Sequence, residues 1–194
     1  MIILASTSSA RKSMLTHAGL RFSTASPMVD EGKLVDEHPN WNPQETAHQL
    51  AMAKALDVSS RHRDDLVIGA DQVLALGDKS FSKPKSIDEC RNQLLELRGK
   101  PHHLISAVVC ARGGHSEWAE TCVASLTMRH FSTSFLDDYL AAVGSDCTTS
   151  VGGYKIEGPG IQLFDSVEGD HFTILGMPLL PLLKYLRTTG ELQS

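Results

Sequence analysis

The chain opens Ile2-Ile3-Leu4-Ala5-Ser6-Thr7-Ser8-Ser9-Ala10-Arg11-Lys12, an apolar run that stops at four small hydroxyl residues and is followed at once by two cations. The pattern predicts a strand, a tight polar loop and the first turn of a helix. Free backbone N–H groups at a helix start attract anions, and hydroxyls and a guanidinium add donors for phosphate oxygens. Basic residues in a first turn oppose the helix dipole. Arg11 and Lys12 therefore suit either a bound polyphosphate or a solvated helix start.

A second cluster reads Leu66-Val67-Ile68-Gly69-Ala70-Asp71-Gln72-Val73. An apolar strand reaches two small residues, which admit a close approach, and then a carboxylate. At the end of a buried strand that carboxylate is costly unless paired. The expected partner is a metal or a cation; the alternative is an Asp that only forms a turn. Asp30-Glu31 sits in an acidic stretch, and two or three carboxylates suffice to hold Mg²⁺ with waters and substrate phosphates. Lys54 is the one charge in an alanine-rich helical segment, and Lys83 is fixed by Pro84 after it. Each alone reads as a surface lysine. Together with Arg11 and Lys12 they would neutralise a triphosphate.

The bulk properties exclude several classes. A chain of 194 residues has room for one or two domains and a real core. The net charge of −5 argues against a general nucleic-acid binder. No apolar run is long enough to span a membrane, and the start lacks the basic segment and cleavage site of a signal peptide. Cys90, Cys110, Cys122 and Cys147 are widely spaced and form no CxxC. They fit reduced thiols in a cytoplasm better than a disulfide framework or a zinc site. His102 and His103 would point to opposite faces of a strand, which favours packing or surface roles over metal binding.

The elements that must carry these residues alternate between helix and strand. A short helix ends at Gly19, and Arg21–Ala25 reads as a strand. Residues 27–41, with two prolines and several acids, read as a long loop. Asn42-Pro43-Gln44-Glu45 is a capped helix start, and the helix runs to about residue 60. Leu66–Gly69 and Gln72–Leu76 are strand-like. Ser86-Ile87-Asp88-Glu89 opens a helix that Gly99 ends. His103–Ala111 and Glu117–Met128 form a hairpin about Gly113-Gly114, and Ser134–Val143 is a helix closed by Gly144. Short strands are expected near Tyr154–Ile156, Ile161–Phe164 and Phe172–Leu175, with a last helix over Leu179–Leu186. A hairpin within an alternating pattern points to an α/β protein with a mixed sheet.

Taken in order, these segments resemble the Maf family of nucleoside triphosphate pyrophosphatases, relatives of a septum-formation inhibitor. The resemblance covers nearly the whole chain. It rests on Leu4-Ala5-Ser6-Thr7-Ser8 with Arg11, Asp30-Glu31, Ala53-Lys54-Ala55, Gly69-Ala70-Asp71-Gln72-Val73 and Lys83-Pro84. It continues through Leu97-Arg98-Gly99 with His102, Gly153-Tyr154-Lys155-Ile156-Glu157-Gly158, Gly169-Asp170 and Leu175-Gly176-Met177-Pro178-Leu179. It implies a single domain over 1–194, with an elongated, twisted mixed sheet like that of inosine triphosphatases and two lobes around a cleft. It also implies a reaction, NTP + H₂O → NMP + diphosphate, with Mg²⁺ or Mn²⁺. By the family's pattern Asp71 is the catalytic carboxylate and a metal ligand, and Glu31 is its partner at the metal. Ser8, Arg11, Lys54 and Lys83 hold the phosphates. Relatives are often homodimers.

The chain departs from the family at one place. Where relatives usually carry Ser-Pro-Arg-Arg or Ser-Pro-Trp-Arg, this sequence has Ser8-Ser9-Ala10-Arg11. The resemblance assigns base selection to Ala10, Gln72 and Glu157. Gln72 and Glu157 match a branch acting on 7-methyl-GTP rather than one acting on dTTP and UTP, and Ala10 matches neither. A carboxylate can accept hydrogen bonds from the N1–H and exocyclic amine of a guanine, and it would repel the carbonyls of thymine. Two other readings remain open: a dTTP/UTP pyrophosphatase, and a nucleotide-binding regulator of cell division.

Overall fold

A computed structural model describes residues 1–193. The first strand, β1 (Ile2–Ala5), is wholly buried and leads through a hydroxyl-rich loop into α1 (Ser9–His17). Next come β2 (Ser23–Thr24), α2 (Glu31–Asp36) and the long α3 (Pro43–Arg61). The α3 start is set by its sequence. Asn42 accepts the Glu45 N–H while Glu45 accepts the Asn42 N–H, and Pro43 opens the first turn. β3 (Leu66–Leu76) and β4 (Lys79–Phe81) follow, then α4 (Ile87–Leu97). β5 (Pro101–Arg112) and β6 (His115–Met128) are joined by Gly113 and Gly114, with φ of 57° and 84°, a backbone that suits glycine in a tight hairpin turn. The chain closes with α5 (Thr133–Val143), three short 3₁₀ turns, β7 (Phe164–Glu168), α6 (His171–Ile174) and α7 (Leu179–Thr188).

The sheet is mixed. Its order is β2-β1-β3-β5-β6-β7, with β4 also on β3. β1 pairs parallel with β2 and β3, whereas β3–β4 and β6–β7 are antiparallel. The chain divides into two compact units. The first holds residues 1–72, 105–123 and 170–193, the second 73–104 and 124–169. In the first, Leu4, Ile68 and Val108 pack with Met14 and Leu15 of α1 and Leu182 and Leu186 of α7. Ile3, Ala5 and Val67 meet Val58 of α3 in a separate cluster. In the second, Leu94 and Leu97 of α4 and Leu136 of α5 are fully buried, and His102 bonds Tyr154 through Nε2 at 2.8 Å.

Several sequence expectations need correction. Residues 31–36 are a helix within the stretch read as loop; α2 buries none of its residues, so it carries no apolar period to betray it. The strand at 21–25 shrinks to two residues. The two strand pieces around Asp71 are one eleven-residue strand, so Asp71 lies mid-strand and not at an end. Residues 154–156 and 161–163 are turns and 3₁₀ helix, and 171–174 are helical, with β7 between them. No described helix is long and apolar enough to cross a membrane.

Candidate active site

Close packing of α3 on β3 builds the centre of the site. Gly69 is where it happens. A Cβ there would collide with the Ala51 carbonyl and lie 2.7 Å from the Ala55 nitrogen and 2.8 Å from its Cβ. Only glycine lets the helix come so near. Side chains alternate along a strand, so Asp71 shares the face of Gly69. Lys54, one residue before Ala55, meets it there: Nζ donates to Asp71 Oδ1 at 2.6 Å. The same ammonium reaches Glu31 Oε1 at 2.9 Å. Glu31 is the first residue of α2, whose start is fixed by Asp30 accepting the Lys33 N–H.

Arg11 comes from the first turn of α1. Ser8 caps that helix by accepting the Arg11 N–H at 3.4 Å, and Ser6 accepts the Ser8 N–H at 3.2 Å. The Arg11 side chain is tied by Nε to the Gly176 carbonyl at 2.9 Å. Burial lowers the pKa of its guanidinium, and the charges of Asp71 and Glu31 raise it in opposition. Burial likewise raises the Asp71 carboxyl above its ordinary value; Lys54 and Arg11 pull it down, and Glu31 pushes it up. Lys54 and the two carboxylates thus sit together, with Lys54 and Asp71 only 7% and 9% exposed and Glu31 49% exposed, and both carboxylate charges act on Arg11. The exposed end is where a ligand can enter the cluster.

Among the described residues no group of three or more His, Cys, Asp or Glu side chains gathers as metal ligands. Asp71 and Glu31 do converge on one cationic point, the Lys54 ammonium. Two carboxylates are a hard oxygen set that suits a divalent cation taking its other ligands from water and phosphate. On that chemistry the residues fit Mg²⁺ or Mn²⁺.

The structure therefore brings together Arg11, Glu31, Lys54 and Asp71. Ser8 is a helix cap, and Ala10 lies half-buried on the first turn of α1. Lys83, exposed between β4 and α4, and Glu157, exposed in a turn after Tyr154, belong to the second unit. Gln72 points to the face opposite Asp71, where its amide donates to Ser106 Oγ, Thr173 O and Ile174 O. Sequence reasoning missed Ser106 and the Gly176 carbonyl. Ser106 had a signal, a lone hydroxyl within the apolar run Leu104–Val109. A backbone carbonyl has none.

Two carboxylates and two cations beside a helix start on an α/β scaffold are groups of the kind that suit phosphate and its counter-ion. Residues 1–189 match the Maf-like protein family, and the chain belongs to it. It is 46% identical over 190 residues to the 7-methyl-GTP pyrophosphatase of Brucella abortus, covering 96% of this chain and 94% of that one. It is 50% identical over 192 residues to the nucleoside triphosphate pyrophosphatase of Paramagnetospirillum magneticum, covering 98% and 99%. Among solved structures, the Staphylococcus aureus Ham1 protein aligns over 66% of this chain and 71% of its own, with a TM-score of 0.39 at 13% identity.

Proposed function

We propose that this protein hydrolyses a nucleoside triphosphate to the monophosphate and diphosphate. One observation carries the reading: a buried carboxylate, Asp71, held against Lys54, with Arg11 close enough to act on its charge and Glu31 on the same ammonium. A water oxygen attacks the α-phosphorus, the bond from that phosphorus to the bridging oxygen breaks, and diphosphate leaves. Asp71 accepts the water's proton, and a carboxyl made more basic by burial is a better acceptor. Arg11 and Lys54 stabilise the charge that builds on the phosphate oxygens, as fixed donors in a partly buried setting do well. Ser8 is a further phosphate contact, and the family resemblance alone gives the same role to Lys83. Glu31 and Asp71 would hold a divalent cation, which would supply neutralisation of phosphate charge and a more acidic water.

For the base, the reading is a guanine or modified purine such as 7-methyl-GTP. The family resemblance carries this assignment: it gives base preference to Glu157, whose carboxylate can accept hydrogen bonds from a base edge, and to positions 10 and 72, here Ala10 and Gln72. The name of the Brucella abortus relative supports this base, and that of the Paramagnetospirillum magneticum relative supports the reaction without specifying a base. The four cysteines are free, which supports a reducing, cytoplasmic setting. The test is a panel of common and 7-methylated triphosphates with Mg²⁺ or Mn²⁺, scored for diphosphate. Purine triphosphates should be cleaved faster than dTTP, chelation should stop turnover, and Glu157→Gln should move the preference towards dTTP and UTP. A tenfold wild-type preference for dTTP, about 1.4 kcal/mol, overturns the base assignment and leaves the reaction standing.

A further inference from the structure

Gln72 and Ser106 lie in the first unit, on the sheet face away from Asp71. Gln72 Nε2 has two hydrogens and three acceptors, Ser106 Oγ at 3.0 Å, Thr173 O at 3.0 Å and Ile174 O at 2.9 Å. Ser106, fully buried, donates its own hydroxyl to Thr173 O at 2.7 Å. The donors of both side chains therefore converge on two consecutive backbone carbonyls, with the Gln72 amide also within reach of Ser106 Oγ. Those carbonyls belong to the end of α6, whose start Asp170 caps by accepting the Thr173 N–H at 2.8 Å. The chain then turns at Gly176, with φ of +106°, and the Gly176 carbonyl accepts the Arg11 Nε–H at 2.9 Å. The φ of +106° favours glycine there, and a Cβ on Gly176 would stand at ordinary contact distance, 3.6 Å, from both Arg11 Nη2 and Gln72 Oε1, so the turn, the guanidinium and the amide are neighbours.

We propose that Gln72 and Ser106 are positioning residues for Arg11: they pin the 173–176 turn so that the Gly176 carbonyl holds Nε and leaves the two terminal guanidinium nitrogens for phosphate. This rests on the reading of Arg11 as a phosphate-binding residue. It deepens that reading by naming what aims the guanidinium, and any influence of position 72 on the substrate then passes through the turn. A fork that must meet phosphate oxygens bidentately loses much of its effect when it is free to rotate.

The test is a double-mutant cycle. Gln72→Met keeps the length of the side chain and removes its donors; Ser106→Ala removes the hydroxyl with little change of volume. Each is made with Arg11 intact and with Arg11→Ala, and diphosphate release and Tm are measured for all. With Arg11 present each should lower kcat/KM about tenfold, and with Arg11→Ala by less than about twofold, because residues acting through one partner are not additive. The drop in Tm should be the same in both backgrounds, which a purely structural role would also give; the loss of the kinetic effect would not follow from such a role. Equal kinetic factors in the two backgrounds overturn the inference alone. A wild-type protein that releases no diphosphate overturns the functional reading and this inference with it; an Arg11→Ala variant at wild-type activity overturns the phosphate role of Arg11 and this inference, and leaves the reaction standing. If Gln72→Met does not fold, the Ser106→Ala cycle decides.

Discussion

Asp71→Asn keeps the shape of the side chain and removes the proton acceptor beside Lys54. Loss of a general base costs about 10²–10⁴-fold, and a fall of that order in kcat is expected, measured by initial rates on a protein whose circular dichroism is unchanged. Near-normal turnover would move the proton acceptor elsewhere, with Glu31 the next candidate. At this scale the sequence was informative wherever a charge stood in apolar surroundings. Asp71 declared itself that way; Lys54, which alone read as a surface lysine, did not, and it is buried against Asp71. Nor did their meeting, because a pairing at 2.6 Å depends on how one helix lies on one strand. The hold on Arg11 was invisible for a different reason: its partner is a main-chain carbonyl that every residue owns.

Among the elements, α3 and β3 matter most, and Gly69 governs their separation. Gly69→Ala places a methyl into the Ala51 carbonyl and the Ala55 backbone. Overpacking of this kind costs about 1–3 kcal/mol. The helix must shift, so Lys54 should lose its seat on Asp71. We expect a lowered Tm together with a fall in kcat of at least about tenfold, since small misplacements of catalytic groups are expensive. A variant that loses stability and keeps full kcat would show that the α3–β3 distance does not set the site. Elements were legible where their signals are local. The Asn42–Glu45 box, the Ser86 cap and the Gly113-Gly114 turn each act within four residues. The segment around Phe172 and Ile174 failed because apolar residues two apart over four positions fit one helical turn as well as a strand. The distinguishing cue was Asp170, an N-cap that holds the Thr173 N–H.

For the whole molecule, the two compact units each combine segments distant in sequence, and the divisions fall inside β3, β5 and β6. No linker composition marks such a boundary, which is why the sequence offered none. Stability also has a built-in pH dependence, set in the second unit. His102 is fully buried, bonded to Tyr154 through Nε2, with no partner for Nδ1 among the described residues. Burial lowers its pKa from 6.5 to about 4. The unfolded chain takes up a proton near 6.5 that the folded chain refuses until about 4, so stability is full above 6.5 and is lost as pH falls through that window. A shift of this size is worth about 3 kcal/mol. Urea unfolding at pH 7.5 and pH 4.5 should show a large part of it, and His102→Gln should flatten the difference. An unchanged slope in that variant would assign the acid sensitivity to other groups.

The central claim is attack of water at the α-phosphorus, and hydrolysis in ¹⁸O-water tests it most directly. With the preferred triphosphate and Mg²⁺, mass spectrometry should find the label in the nucleoside monophosphate and none in the diphosphate. Label in the diphosphate, or release of orthophosphate with a nucleoside diphosphate, would contradict the account.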